Sequence, residues 1–545
     1  MTTAQRRWLP VVTLALLALA ATVTTLGHDF TYDDRDVIFV NDRVHSLAHL
    51  PRLFMETYWP AKYGGDGYRP IVMSLFTLQW VAANGAPWVF HLVNILLAVA
   101  TTLAVYWCAT ALLPTVGAWV AAALFAVHPV HVEVTGNIVG QSELIVALCL
   151  ALAVGLYVRK RTTRQLSGRD MASLSALFAL ALFTKEHAIV LPALLVAAEA
   201  TVLPGDRWRA RLRTMRPLML SLTAIALAYL YVRGLVQQDL TGFLPHPVFR
   251  FLRMSVIDRL GTMMNEMPRI AQLILFPTRL SADYSPNDVN VADGIALSQI
   301  PGLFICLATV LLAFALRTRA PVASFGLFWL IIAFLPVSNL LVPAGFVTAE
   351  RTLFFPSIGA VFIAGALAEH VRLHASASRR QWAMAGLALL LAAGLARSID
   401  RQRVWKNNDT FFVALRRDAP NGYRTHFLHG RHLGIKGRLS EMEMEYRRAI
   451  RIFPYDAGMT MIVADAYTRA GLCAPAVALF EWTFGVEPDM GEGRYQYVYC
   501  LARLGRWSDV RREALTGLRL VAPRDVRLMR AAVVEANRAL GKGGR

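Results

Sequence analysis

Two adjacent carboxylates, Asp33 and Asp34, follow the end of a long apolar run by only a few residues. A carboxylate beside a bilayer can act as a general base. It accepts a proton from an attacking hydroxyl, and partial burial raises its pKa toward the working pH. An isolated Asp-Asp is ordinarily a solvated acidic loop, and it is the position next to the membrane that argues for chemistry. The cluster His128-Pro-Val-His131-Val-Glu133 holds residue types that bind metals. However, spacings of three and five residues after a proline do not make a regular ligand face, which favours a hydrogen-bonded active-site network over a metal site. Lys185–Glu186 falls at a turn between two short apolar segments, and Glu350–Arg351 opens another. Charges in such places are costly unless paired or turned to a cavity. Arg351, with its bidentate fork, and Lys185, as a point charge, are suited to hold a phosphate. The competing structural reading is an intramembrane ion bridge such as Lys185 with Glu350.

Apolar segments must position these groups. Of the 545 residues, 56% are hydrophobic and only 17% charged, well below the charged share of a soluble domain. About eleven segments approach bilayer length, near 9–27, 88–112, 115–129, 141–158, 171–185, 187–203, 216–235, 299–316, 321–342, 352–371 and 381–397. The loops between them alternate in character. One set is basic: Arg6–Arg7; Arg159, Lys160, Arg161, Arg164 and Arg169; Arg207 to Arg216; Arg317 and Arg319; Arg372, Arg379 and Arg380. The other carries Asp33–Asp34, His128 to Glu133, Lys185–Glu186, Asp283 and Glu350–Arg351. The positive-inside rule makes the basic set cytoplasmic, so the candidate chemistry faces the opposite side. The net charge of +19 follows in large part from those loops and argues against a nucleic-acid partner. Arg6–Arg7 and the run after it resemble a signal peptide, but the run is long for one and is read as a first, uncleaved span. Long external loops cover 28–87 and 236–298. The first contains Tyr68-Arg69-Pro70 and a short apolar stretch to Ala83, read as an interfacial helix.

Beyond residue 400 the pattern becomes that of soluble helices, with an internal repeat. Gly437, Gly471 and Gly505 recur every 34 residues, as do Pro420, Pro454 and Pro488. A turn glycine and a closing proline at this period resemble tetratricopeptide repeats, about three of them, ending in a terminal helix near 524–540. Such a solenoid presents a concave surface suited to polypeptide; scaffolding or dimerisation is the alternative. Of five cysteines, Cys108, Cys149 and Cys306 lie in apolar segments, and Cys473 and Cys500 lie in the repeats. With no CxxC or Cys/His zinc spacing, neither a disulfide framework nor structural zinc is expected.

Taken together, Asp33-Asp34-Arg-Asp, Tyr68-Arg69-Pro70, Phe90-His91-Leu92-Val93-Asn94, His128-Pro-Val-His131-Val-Glu133, Thr184-Lys185-Glu186, Leu280-Ser-Ala-Asp283-Tyr284-Ser285 and the stretch from Leu335-Pro-Val-Ser-Asn339 to Ala349-Glu350-Arg351 resemble the transmembrane and tetratricopeptide-repeat-containing protein O-mannosyltransferases, of the GT-C glycosyltransferases. The resemblance implies an all-α fold: a GT-C-like membrane bundle over 1–400 and a repeat domain over 401–545 on the non-cytoplasmic side. It implies an inverting, metal-independent transfer of mannose from a polyprenyl phosphate to Ser or Thr of a protein, at the periplasmic or ER-lumenal face. Asp34 or Asp33 would be the base, and Arg351 with Lys185 would hold the lipid phosphate. His128, His131, Glu133, Glu186, Arg69, Asp283 and Glu350 would line the sugar and acceptor pocket. The donor is a substrate, and no cofactor or nucleic acid is implied. The rivals are a non-catalytic scaffold, an enzyme of the same class acting on a glycolipid or wall glycan, and a transporter or flippase. The last would favour inverted repeats, and none is visible.

Overall fold

The computed structural model describes residues 3–60, 65–163, 165–203, 205, 208–238 and 247–542. Among these residues the regular elements are all helical. They form two compact units. The first combines 1–244, 256–282 and 291–418, and the second combines 245–255, 283–290 and 419–545.

The core of the first unit is an apolar bundle in which Leu144, Val146, Leu150, Val154 and Tyr157 of the helix Gln141–Thr163 are fully buried. The loop turns that reverse the chain use local chemistry. Ser167 and Asp170 form a reciprocal capping box at the start of Gly168–Leu182, and Pro70, Pro87 and Pro321 each sit in the first helical turn, where a missing N–H costs nothing. The helix Ser357–His374 is wedged between two others at backbone distance. A methyl on Gly117 would lie 2.7 Å from the Gly365 carbonyl oxygen, and one on Gly326 would lie 2.5 Å from that of Gly359. Small residues are what permit such approach between membrane helices. This packing fixes the helix that directly follows Glu350–Arg351.

Among the described residues, six helices are long and apolar enough to cross a bilayer: Trp8–Gly27, Pro87–Ala109, Ile138–Thr163, Arg209–Gln237, Leu297–Ala315 and Ala377–Trp405. A bent pair, Thr115–Ala126 with Pro129–Gly136, would make a seventh. The chain is an integral membrane protein, with fewer full-length spans than the eleven segments expected. The segments near 171–185, 187–203 and 321–342 form helices of only 15, 11 and 14 residues, short of the roughly 20 needed. The segment near 352–371 reaches 18 residues, but its last turns carry Glu369 and Arg372. Thr115–Ala126 and Pro129–Gly136 meet at a bend of 49°. The first apolar run belongs to the bundle: Leu14 is fully buried, and Thr13 accepts a hydrogen bond from Trp119 Nε1 at 3.0 Å.

The second unit stacks helix hairpins: Tyr423–Ile435 with Leu439–Ile452, Ala457–Arg469 with Cys473–Val486, and Arg494–Arg503 with Trp507–Leu520. The helix Pro523–Lys542 packs on the last. Each hairpin turns on one of the periodic glycines, Gly437, Gly471 and Gly505, at φ of 74°, 75° and 73°. Each turn closes with the same bond five residues back: Arg438 N to Leu433 O, Leu472 N to Tyr467 O and Arg506 N to Leu501 O. This is the Schellman geometry, whose left-handed residue favours glycine.

Two findings differ from expectation. Segments 245–255 and 283–290 of the long external loop join the second unit. Moreover, Cys473 and Cys500 form a disulfide, with Cα atoms 4.9 Å apart. The pair links successive hairpins across 27 residues, a spacing that no local motif announces. Closing a loop of that length stabilises by about 3 kcal/mol. We expect reduction, or Cys473→Ala, to lower the unfolding temperature of the detergent-solubilised chain by several degrees. Equal melting curves with and without reductant would refute this.

Candidate active site

The loop after the first span is built around Asp34, which is fully buried. Its Oδ1 accepts the Val139 N–H at 2.9 Å and its Oδ2 accepts the Thr31 N–H at 3.2 Å. Burial drives this carboxyl up, the backbone donors of Val139, Ile138 and Thr31 partly oppose it, and Asp33 adds to the rise. The result is a pKa raised to about 8. The partner loop is itself held, because Asn94 Nδ2 donates to the Asn137 carbonyl at 3.0 Å. Tyr32, just before the pair, has φ of +55°, a conformation that costs free energy in a non-glycine residue. It is kept there by its N–H to Asn408 Oδ1 at 2.8 Å and by stacking on Phe411. Asp33, by contrast, is only half-buried.

Arg351 lies in the short 3-10 turn Glu350–Leu353. Its Nη1 donates to Glu133 Oε1 at 2.5 Å, and its backbone N–H donates to Glu133 Oε2 at 2.8 Å. Burial alone would lower the guanidinium pKa. Glu133 and Asp33 outweigh it and hold the group above its ordinary value. Arg69 makes a two-pronged pair with Glu186, at 2.7 and 3.1 Å, and stacks over Tyr58. Against its burial, Arg69 holds the Glu186 carboxyl below the usual carboxylate range. The buried Tyr58 phenol is pushed up, and it feels the charges of Arg69, Asp33, Asp34 and Arg351. One neighbourhood therefore gathers Asp33, Arg351 and Arg69.

The other expected site residues each have a defined partner. Lys185 Nζ donates to Glu143 Oε1 at 2.6 Å, and His187 Nε2 lies 3.3 Å from the other oxygen of the same carboxylate. Glu350 accepts the Ser281 N–H at 2.5 Å. The Lys185–Glu350 bridge is therefore not the arrangement adopted. His131 Nε2 bonds Ser357 Oγ at 2.8 Å between the rings of Phe125 and Phe354, and His128 Nε2 bonds the Ile274 carbonyl at 2.9 Å. Among the described residues, no three His, Cys, Asp or Glu groups gather to hold a metal. Asp283 belongs to the second unit, where it pairs with Arg424 at 3.2 Å.

Sequence reasoning missed Glu143, His187 and Tyr58. Glu143 carried a usable signal: an ionisable residue within an apolar span needs a partner. Arg351, Arg69 and Lys185 are each paired with a carboxylate, Glu133 and Glu143 being buried and Glu186 partly buried. The arrangement can therefore keep a guanidinium ionised and aimed while a half-exposed aspartate beside it handles a proton.

No protein-family model matches the chain. It is 27% identical to the protein O-mannosyl-transferase Tmtc1 of Drosophila melanogaster over 80% of this chain and 60% of that protein. It is 23% identical to TMTC3 of Mus musculus over 89% and 55%. A shorter stretch, 35% of this chain, is 38% identical to Tmtc2 of Drosophila melanogaster, of which it covers 21%. The archaeal oligosaccharyltransferase AglB from Archaeoglobus fulgidus, solved with an inhibitory peptide and a dolichol-phosphate, aligns over 78% of this chain and 59% of its own, at 16% identity and a TM-score of 0.43. The chain spans about 60% of the length of Tmtc1. Along four-fifths or more of its length the chain is similar to protein O-mannosyl-transferases of the TMTC type.

Proposed function

We propose that this chain transfers a mannosyl group from a polyprenyl phosphate to a Ser or Thr hydroxyl of a polypeptide, at the non-cytoplasmic face of the membrane. The observation that carries the reading is the half-exposed Asp33 acting electrostatically on an Arg351 locked to Glu133. Asp34 is unsuited to be the base, since its oxygens are occupied by backbone donors and it retains its proton near neutrality. Asp33 would take the proton of the acceptor hydroxyl. The acceptor oxygen would then bond the anomeric carbon on the face opposite the leaving group, and the bond from that carbon to the phosphate oxygen would break, inverting the configuration. Negative charge grows on the departing phosphate. Arg351, already oriented and ionised, would meet it without reorganisation, the circumstance in which electrostatic stabilisation is largest. The hairpins of the second unit, whose 34-residue period matches tetratricopeptide repeats, would present the acceptor.

The test is transfer of labelled mannose from synthetic polyprenyl-phosphate-mannose by the purified chain to cell-envelope protein. We expect label in protein at a rate that EDTA leaves unchanged, because the residues around Asp33 supply the positive charge themselves. Label confined to lipid or glycan would replace the acceptor. No transfer from several carrier-linked sugars, with no donor binding, would favour the scaffold reading. Loss of activity in EDTA, restored by a divalent ion, would refute the metal-independent mechanism.

A further inference from the structure

Two residues after the 3-10 turn Leu335–Val337, the backbone of Asn339 is left-handed, with φ of +59°. Asparagine is one of the few residues with a side chain that tolerates this conformation. That side chain is fully buried. Its Nδ2 donates to the carbonyls of Phe346 and Val347, at 3.2 and 3.1 Å, and its Oδ1 accepts the Ala344 N–H at 2.7 Å. One amide therefore closes the loop 340–347 on itself, and the loop contains no helix that could hold its shape otherwise. The loop brings a ring to Arg351. Phe346 lies 5.6 Å from the guanidinium carbon, measured at the ring centroid, within range of a cation–π attraction. Glu133 takes Nη1 of the same guanidinium. Among the described residues nothing accepts from its Nε or Nη2, and the side chain remains 28% exposed. Asn339, Phe346, Arg351 and Glu133 all belong to the first unit. The guanidinium is thus held by a carboxylate at one nitrogen and by a ring across one face, with its other donors open.

We propose that Phe346 and Asn339 are positioning residues for Arg351: the loop tied by Asn339 lays the Phe346 ring against the guanidinium and so turns Nε and Nη2 toward the departing phosphate. The catalytic consequence rests on the functional reading above. Two donors in one plane match two phosphate oxygens only when that plane is fixed. One bond to Glu133 leaves the plane free to rotate, and the ring removes that freedom. The charge that Arg351 answers grows in the transition state. Loss of its placement therefore appears in kcat and not in binding of the donor.

The full-length chain in detergent, with polyprenyl-phosphate-mannose as donor, serves for the test. Phe346→Leu keeps an apolar side chain and removes the ring, and Phe346→Tyr keeps the ring. Asn339→Gly keeps the left-handed backbone accessible and removes all three side-chain bonds. Phe346→Leu and Asn339→Gly should each lower kcat about tenfold at an unchanged donor KM, and Phe346→Tyr should stay near wild type. In an Arg351→Ala background, Phe346→Leu should cost nothing more. Independently of transfer, modification of Arg351 by phenylglyoxal, followed by mass spectrometry of its peptide, should quicken in Phe346→Leu and Asn339→Gly but not in Phe346→Tyr. Phe346→Leu overturns the proposal if its kcat is unchanged, if it raises the donor KM at constant kcat, if its loss persists without Arg351, or if the labelling rate stays at the wild-type value. Phe346 is partly exposed, so this variant decides the matter even where Asn339→Gly unfolds. A wild-type chain that transfers nothing defeats the functional reading alone, and the labelling still decides whether the ring holds Arg351.

Discussion

Arg351→Ala should reduce mannosyl transfer by about 10³-fold or more, the range seen when a fixed positive charge on a transferring or leaving group is lost. The same variant should also be less stable, by about 3 kcal/mol, because Glu133 is 3% exposed at its side chain and would be left as a buried charge facing only a backbone N–H. The two effects can be separated. In Arg351→Ala/Glu133→Gln the stranded charge is gone, and the amide oxygen can still accept the residue 351 N–H. Stability should return while activity does not. Thermal unfolding and kcat/KM of the two variants decide the matter. If the double variant recovers transfer, Arg351 merely neutralises Glu133 and has no role toward the phosphate. Arg351→Lys should fall between, since it keeps the charge but loses the planar fork that holds both Glu133 and a phosphate in register.

The positions of these charges were legible in the sequence because apolar surroundings make them conspicuous. Asp33–Asp34, Lys185–Glu186 and Glu350–Arg351 stand in short irregular segments at helix ends, and each is a place where a charge has to be explained. Their pairing was not legible. Lys185 finds Glu143 across 42 residues, Arg69 finds Glu186 across 117 and Arg351 finds Glu133 across 218. The sequence offers Glu133, Glu143, Glu186 and Glu350 to these three cations, and only the tertiary fold brings each cation to its partner. The hairpin turns were legible for the opposite reason. A left-handed residue at Gly437, Gly471 and Gly505 is a local requirement, so its period survives in the sequence. The bundle itself was legible only in part. Hydropathy marks apolar runs but cannot say which end early, and the helices following Ser167 and Val190 do so around the Lys185–Glu186 turn. The place of 283–290 with the hairpins was not legible either, because the Asn287 and Pro286 bonds to Asn421 and Tyr423 use backbone groups that every sequence possesses, and the Asp283–Arg424 pair joins residues 141 positions apart.

The adjacent aspartates should differ sharply in their response to the same substitution. Asp33→Asn removes the proposed base from a half-exposed position and keeps the size of the side chain. Transfer should drop by about 10³-fold, within the span attributed to general-base catalysis, with an unchanged melting temperature. Asp34→Asn should act chiefly on the fold. The new amide keeps an acceptor for the Val139 N–H but turns a donor toward the Thr31 N–H, at a cost of about 1–3 kcal/mol. That cost should depend on pH. The Asp34 carboxyl has a folded pKa of about 8 against an ordinary 3.8, so the folded state binds its proton more tightly than the unfolded chain does. Its contribution to stability is complete below the ordinary pKa and is lost progressively as pH rises toward 8. The asparagine variant carries no such proton. Its melting temperature should therefore lie furthest below wild type near pH 5, and it should approach or pass wild type near pH 9. Melting curves of wild type and both variants between pH 5 and 9 test this directly. Parallel wild-type and Asp34→Asn curves across that range would show that Asp34 is ionised throughout. If Asp34→Asn also abolished transfer while Asp33→Asn retained it, the two aspartates would exchange roles, and the backbone donors around Asp34 would have to be holding the working base.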